Sequence, residues 1–399
     1  MSAPPTSVLI SGAGVAGLTL AYWLHQRGFA VTVVEKAAAL RRGGYMIDFW
    51  GAGFDVAEKM GLLDELLAHH IDMAELTFVN EADERVGGFN VPRLRMAVSF
   101  RHYNILRSAL AAVLYRRVKD NVEILFDTSI ENLNGSDAGV TATLSDGKSL
   151  GFDFCIGADG LHSHVRNLCF GEDSDVEHFL GYYTASFTYR GSQSEVDGIR
   201  MFTVPGKQAA IYPVGKNTRA AFFLFESEEL NVETCGGPEA LLRREFGDLG
   251  WRCPELLENM DSANDYYFDA VSQIRMPKWS QGRIGLVGDA CQSVSLVGGQ
   301  GAALAMAGAY ILAQELARDD GASGGGQAES LVRYESALRP EIERKQRMAE
   351  GFAKSFVPKT PLSLWTRNKL SNAVMLPGVS KWFIKRYMAD NLKLDFGNA

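Results

Sequence analysis

No run of about 18 uninterrupted apolar residues occurs in the 399-residue chain, so no membrane-crossing helix is expected. An excess of positive charge is also missing. Lys and Arg total 40 against 48 Asp and Glu, a net charge of -8, which is the wrong sign for nucleic acid as a default partner. Cysteine is scarce and odd in number: Cys155, Cys169, Cys235, Cys253 and Cys291, with no pair at metal-ligand spacing. Reduced thiols in a cytoplasm are the expectation. The seven histidines form neither HxxxH nor HExxH, so no metal is expected. There is no internal repeat. The N-terminal residues carry no basic stretch and are interrupted by glycine, so they read as folded chain and not as a leader.

What is present is an ordinary globular balance, 46% hydrophobic and 22% charged residues. The length suits one large domain or two intertwined ones and supports a core without disulfides. Residues 8–11 read as a buried strand, 15–27 as a helix ended by Gly28, and 31–35 as a second strand. A helix is expected over 53–68 and another over 103–117, the latter from the spacing of Leu106, Leu110, Val113 and Leu114. Residues 121–157 read as strands and turns. Residues 176–274 are β-rich and aromatic, in the manner of an antiparallel sheet with connecting helices. Residues 283–289 read as a further buried strand and 300–317 as a helix of small residues. The stretch 319–327 is a low-complexity connection, and the remainder is mostly helical, with breaks at Pro358, Pro361 and Pro377.

Three motifs carry chemistry. The first is Gly12-x-Gly14-x-x-Gly17 between a strand and a helix. The first glycine permits the tight turn, the second lets a pyrophosphate approach the backbone, and the third allows close helix–strand packing. The helix N-terminus offers unpaired N–H groups to the phosphates. Glu35 ends the second strand, where a carboxylate can accept ribose hydroxyls. This unit predicts a dinucleotide and leaves NAD and FAD open. The second motif is the strand 152–157 followed by Ala158-Asp159-Gly160, Ser163 and Arg166. The third is Gly288-Asp289-Ala290, followed by Gly298-Gly299-Gln300-Gly301 and a helix, whose N-terminus would stabilise negative charge on a reduced flavin. Taken in order, the three favour FAD.

In these motifs the chain resembles the class A flavin monooxygenases, the para-hydroxybenzoate-hydroxylase-like family, over roughly residues 6–345. The resemblance implies an α/β fold: a discontinuous Rossmann-like FAD-binding domain (1–70, 101–175 and 275–330), a β-rich substrate domain (71–100 and 176–274) and a C-terminal helical segment (331–399). By motif match it implies FAD contacts at Gly12, Gly14, Ala16, Gly17, Glu35, Arg107, Asp159, Asp289, Gly299 and Gly301. Asp159 is implicated with both FAD and NAD(P)H, and Asp289 with the ribityl chain. Arg41 and Asp48, in LRRGGYMIDFWG, resemble a segment of the branch that includes tetracycline-inactivating monooxygenases. There Arg41 lies near the cofactor or nicotinamide path and Asp48 near the flavin.

The implied reaction consumes NADPH or NADH and O2, and hydroxylates a small aromatic or polycyclic compound through a flavin C4a-hydroperoxide. The flavin carries this chemistry, so no single catalytic side chain is assigned. Antibiotic modification and natural-product tailoring both fit.

Met201, Phe202, Tyr212, Phe222, Phe223 and Phe225 are candidate walls of the substrate pocket, with Met201, Tyr212 and Phe223 singled out. Strand alternation allows only about half of the six to face it. The sequence departs from the family pattern at Gln292, Leu296 and Ala303, where His, Pro and Asn are usual. That departure keeps open a flavin reductase or redox module without oxygenation. The WxWxIP-like segment of flavin-dependent halogenases is missing.

The segment 351–399 carries Phe352, Phe356, Trp365, Trp382, Phe383 and Tyr387 with Lys354, Lys359, Lys369, Lys381, Lys385 and Arg386. This reads as an amphipathic helix across both domains, with a membrane-surface helix as the sharper alternative. A cytoplasmic monomer or homodimer is expected.

Overall fold

The computed structural model describes residues 5–41, 45–92, 96, 101–172, 175–191, 198–318, 328–371, 392 and 394–396, with the backbone alone at 297 and 352–356. The readings made for residues 319–327, Pro377, Lys381, Trp382, Phe383, Lys385, Arg386 and Tyr387 lie outside the described residues, as do the side chains of Phe352, Lys354 and Phe356.

Two sheets organise the chain. The first has six strands in the spatial order Ser280–Gln281, Ile284–Leu286, Phe154–Gly157, Ser7–Ser11, Ala30–Glu35 and Glu123–Phe126. All pairs are parallel except the edge strand Ser280–Gln281. The central strands are continuous apolar runs because both faces are covered by other structure. Ser7–Ser11 sits in the middle, with Ile10 opposite Val33 on one side and Ile156 on the other. The chain leaves this strand toward one edge and later returns on the opposite side. That reversal opens a crevice beyond the carboxyl ends of the strands, where ligands bind in such sheets. The helix Val15–Gln26 starts at this point, and the helix Gly301–Ala317 packs beside it.

The second sheet has seven strands: Tyr267–Ile274, Glu177–Arg190, Thr218–Glu226, Lys207–Gly215, Ile199–Val204, Glu75–Val79 and Arg85–Asn90. Its one parallel pair joins Ile199–Val204 to Glu75–Val79, where the chain segment before residue 90 adds to the sheet. Alternation sorts the side chains into two sets. Tyr183, Phe187, Phe202, Phe223 and Phe225 pack against the helices Pro238–Phe246 and Cys253–Met260. Tyr182, Met201, Tyr212, Phe222 and Leu224 belong to the opposite face. Phe223 is fully buried, with its ring 4.9 Å from that of Phe246. This corrects the expectation that Phe223 lines a substrate pocket: its parity on the strand turns it into the core of the far face. Phe202 and Phe225 share that fate, whereas Met201, Tyr212 and Phe222 do not.

Local structure differs from the sequence reading in two further places. The helix expected over 53–68 is two helices, Ala52–Lys59 and Leu63–Leu67, separated at Gly61 with φ 70°. The helix expected from 103 begins at Arg107 (Arg107–Val118), because His102–Leu106 forms an antiparallel ribbon with Met46–Trp50. Tyr103 and Ile105 enter the core of the first sheet from this ribbon, a period of two that the helical spacing had masked.

The long helix Glu329–Phe356 spans both parts. Gln346 donates to the carbonyls of Ile274 and Ser293, and accepts from Gln273 through its own carbonyl. Pro361–Ser371 follows, with Pro at its first position as helix geometry favours. It rests on the second sheet, where the Arg367 guanidinium lies 4.1 Å from the Phe78 ring centroid. Burial lowers the Arg367 pKa to about 10. Trp365 on the same helix is 59% exposed. All five cysteines are free thiols, no described helix is long and apolar enough to cross a membrane, and no metal-binding group occurs among the described residues.

Because Phe223 anchors the packed face of the second sheet, Phe223→Ala is expected to lower stability by roughly 3–5 kcal/mol. Urea unfolding checks this, and a loss below about 1 kcal/mol would contradict the core placement.

Candidate cofactor and substrate site

The crevice is built by close backbone approaches. Gly12 adopts φ 107° and donates its N–H to the Val34 carbonyl at 2.7 Å. A Cβ there would lie 2.6 Å from the carbonyl oxygen of Ala158, and one on Gly17 would lie 2.0 Å from that of Gly12. Both positions must be glycine for the first and second motifs to meet. Gly14 is different: a Cβ there would meet nothing within 4 Å. It caps the helix Val15–Gln26 with no side-chain hydrogen bond, so the first-turn N–H groups face the crevice mouth without a side-chain acceptor. Ala16 turns toward the third motif, where a Cβ on Gly288 would come within 2.7 Å of its methyl. Glu35 accepts from the N–H groups of Ala13 at 2.9 Å and Ala37 at 3.0 Å. It braces the glycine turn, and each oxygen keeps a lone pair for a further donor.

The second motif is bound to the first by Ala158 N–H donating to the Ser11 carbonyl at 2.8 Å. Asp159 accepts from the Ser163 hydroxyl, from Val165 N–H at 3.0 Å and from the Ser11 hydroxyl at 3.4 Å. Its carboxylate therefore shapes the turn into the helix His164–Phe170. Arg166 is fully buried and donates to the carbonyls of Ala290 at 2.7 Å and Leu161 at 2.6 Å. It ties the second motif to the third. Sequence reasoning quoted Arg166 only as part of a pattern; the signal for its role was an arginine in an otherwise apolar strand–turn–helix unit.

At the third motif, Gly288 takes φ 69° and Asp289 follows at the strand end. Burial raises the Asp289 pKa, and the Arg107 charge opposes that shift. Burial likewise works against charge on Arg107, but Tyr45, Asp289 and Tyr267 around it outweigh this and raise its pKa. Burial also raises Tyr45 and Tyr267, whose rings lie 5.6 Å apart. Arg107, Asp289, Tyr45 and Tyr267 thus lie close enough to influence one another's charge. A Cβ on Gly301 would sit 3.6 Å from the Asp289 carboxylate, and one on Gly299, at φ 65°, would meet nothing within 4 Å.

Open glycine edges at 14, 160 and 299, an uncapped helix start, a carboxylate with spare acceptors and an arginine and an aspartate close enough to influence each other's charge fit an extended dinucleotide that ends in a flat ring.

The remaining predicted residues are placed as follows. Asp48 lies on the two-stranded ribbon, paired with His102 Nε2 at 2.9 Å. Arg41 is exposed, beside residues outside the description. The Tyr212 hydroxyl accepts from Met46 N–H at 3.2 Å, joining the second sheet to the ribbon, and burial raises its pKa. Met201 shares its face of the sheet. Gln292 donates to the Leu304 carbonyl at 3.3 Å and accepts from the Tyr334 hydroxyl at 3.4 Å, so this departure from the family pattern is absorbed in helix packing. Ala303 lies against Gly53, where a Cβ would come within 2.4 Å of the Ala303 Cα; small residues at both positions let these helices touch. Leu296 opens a short 3-10 turn, Leu296–Gly298. A separate cavity of about 480 Å³ lies between Ala109, Leu106, His69, Val214 and Lys216, and none of the three glycine motifs lines it.

Known proteins agree with this geometry. A family model described as an FAD binding domain matches residues 5–348. A flavin-dependent monooxygenase from an unknown prokaryotic organism is 33% identical over 380 residues, covering 92% of this chain and 94% of the relative. One from Legionella longbeachae is 32% identical over 377 residues, with the same two coverages. The crystal structure of tetracycline destructase Tet(55) is similar at TM-score 0.80 and 31% identity, covering 94% of this chain and 97% of that one.

The contrast between Gly14 and Gly17 gives a paired test. Gly14→Ala is expected to fold with an unchanged melting temperature and to hold FAD at least about tenfold more weakly, a loss of ~1.4 kcal/mol. Gly17→Ala is expected to lose the fold. FAD titration by fluorescence and thermal melting check both; equal FAD affinity in Gly14→Ala and wild type would refute the cradle.

Proposed function

This chain belongs to the FAD binding domain family and is an FAD-dependent monooxygenase, and from that premise we propose that it hydroxylates a small aromatic or polycyclic compound using NADPH or NADH and O2. The observation that carries the reading is the meeting of the three glycine motifs at the carboxyl ends of the first sheet, with Arg107 and Asp289 close enough to influence each other's ionisation and the apolar face bearing Met201 and Tyr212 on the second sheet. When bound, FAD supplies hydride acceptance and oxygen activation. The chain's own residues do the rest. The N–H groups after Gly12 and Gly14 would hold the pyrophosphate, and Glu35 would accept from the adenosine ribose hydroxyls. Asp289 would accept from the ribityl chain, Arg107 would supply a fixed positive charge, and the N–H groups around Gly299 and Gly301 would be available to the ring. Ala16, Gly17 and Asp159 act by shaping these contacts. Arg41 would lie near the cofactor or nicotinamide path and Asp48 near the flavin.

The substrate lies between the ring and the second sheet, where Met201 and Tyr212 keep water out. Residues 71–100 and 176–274 form the substrate domain, and 1–70, 101–175 and 275–330 the FAD-binding domain. The likeness to a tetracycline destructase supports a polycyclic substrate, with antibiotic modification or natural-product tailoring as the role. A cytoplasmic monomer or homodimer is part of this reading.

Incubation of the FAD-loaded protein with NADPH, labelled O2 and a panel of polycyclic phenols is expected to give a product heavier by one labelled oxygen atom. Steady NADPH oxidation with no labelled product across the panel would refute it and leave a reductase in its place.

A further inference from the structure

The ribbon formed by Met46–Trp50 and His102–Leu106 carries two polar groups, His102 and Asn104, that the cofactor reading leaves unused. In its register Asp48 faces Asn104, and Trp50 faces His102. Ile47, Phe49, Tyr103 and Ile105 point into the core of the first sheet, so Asp48, His102 and Asn104 share the other face. Met46 on that face packs with Met73 and Tyr212, which places the face against the second sheet, in the gap assigned above to substrate.

His102 and Asn104 are each 2% exposed, and two of their atoms, His102 Nδ1 and Asn104 Oδ1, are buried with no partner. Nε2 lies 2.9 Å from the Asp48 carboxylate, which can only accept, so Nε2 carries a proton, and in the neutral imidazole Nδ1 then presents a lone pair. Two buried acceptors about 7 Å apart along one strand therefore lack a donor. Such groups are costly to leave unpaired, and a ligand with hydroxyl donors would satisfy both. The charged and titratable groups around His102 are Asp48 on the facing strand, and Arg101 beside it, held by Asp55 and Glu58 of the neighbouring helix. His70 lies at the Asn104 backbone, and Lys345 stands over Trp50 from the long helix.

We infer that His102 is the general base of the substrate site and that it takes phenolic or enolic compounds. The O–H bond of the ring hydroxyl breaks, its proton forms a bond to Nδ1, and the electron pair stays on the substrate oxygen. The ring becomes electron-rich, as an acceptor of an electrophilic oxygen atom must be. Asp48 is the positioning residue that fixes the tautomer and balances the imidazolium, and Asn104 Oδ1 accepts from a second donor of the ligand.

The inference rests on the monooxygenase reading for the place of the substrate, but its test uses neither NADPH nor O2. 4-Nitrophenol, whose ionised form is coloured, is titrated with pH on the FAD-loaded protein. In wild type the bound compound is expected to ionise about one pH unit or more below the free compound, a tenfold shift. His102→Asn and Asp48→Asn should remove the shift, the latter because its amide can donate to Nε2 and move the proton to Nδ1. Asn104→Leu should weaken binding and keep the shift. Asp48 is exposed, so its variant tests the idea even where His102→Asn fails to fold; FAD content and melting temperature report on that. Absence of binding, an unshifted titration in wild type (the result if the two atoms hold only a water), or a shift retained in Asp48→Asn would overturn the inference. A failed titration leaves the labelled-oxygen result standing, and the reverse holds equally.

Discussion

Between Gly12 and Ala158 the backbone comes closer than any side chain would permit, and the rest of the molecule is arranged around that contact. A Cβ on Gly12 would stand 2.6 Å from the Ala158 carbonyl oxygen, and the parallel hydrogen bond from Ala158 to Ser11 holds the two motifs there. Because the strands are neighbours at the centre of the sheet, the turn and helix after Ser7–Ser11 are fixed relative to residues 158–166. The Val287 N–H then donates to the Gly157 carbonyl and brings the third motif to the same line. Segments nearly 300 residues apart are thus brought together by backbone contacts that only glycine permits.

Arg166 adds a polar clamp in this apolar region. A guanidinium cannot be left uncharged in a protein, so its burial demands acceptors. The carbonyls of Ala290 and Leu161 supply two, and neither belongs to a regular ladder. The loop at 290 is therefore positioned by a cation from the preceding motif. The same loop leads into Gln292, whose amide is turned away to Leu304 and Tyr334. The family-atypical residue is part of the contact between the long helix and the cofactor half, not a group facing the crevice.

Much of this was legible beforehand, for physical reasons. Strands covered on both faces read as unbroken apolar runs, so residues 8–11 and 154–156 announced themselves. Glycines with no side chain to vary marked the cradle. The ribbon was not legible: five residues at 102–106 satisfy a helical spacing and an alternating one equally well, and the pairing with 46–50 decides between them. Phe223 was misplaced because a strand's composition does not tell which of its two faces meets the helices. Arg166 and His102 were passed over because their roles arise from segments distant in sequence, and no local pattern encodes an absent partner.

The parity of the second sheet has a consequence for how such an enzyme changes its diet. One set of side chains, with Phe223 and Phe225, carries the sheet's attachment to the helices beneath it. The alternate set, with Met201, Tyr212 and Phe222, faces away from that attachment. Adjacent codons thus serve separate masters: a run of mutations at every second position alters one face while the foundation stays undisturbed. A chemistry fixed by a shared cofactor can in this way be redirected to new compounds through a handful of alternating positions.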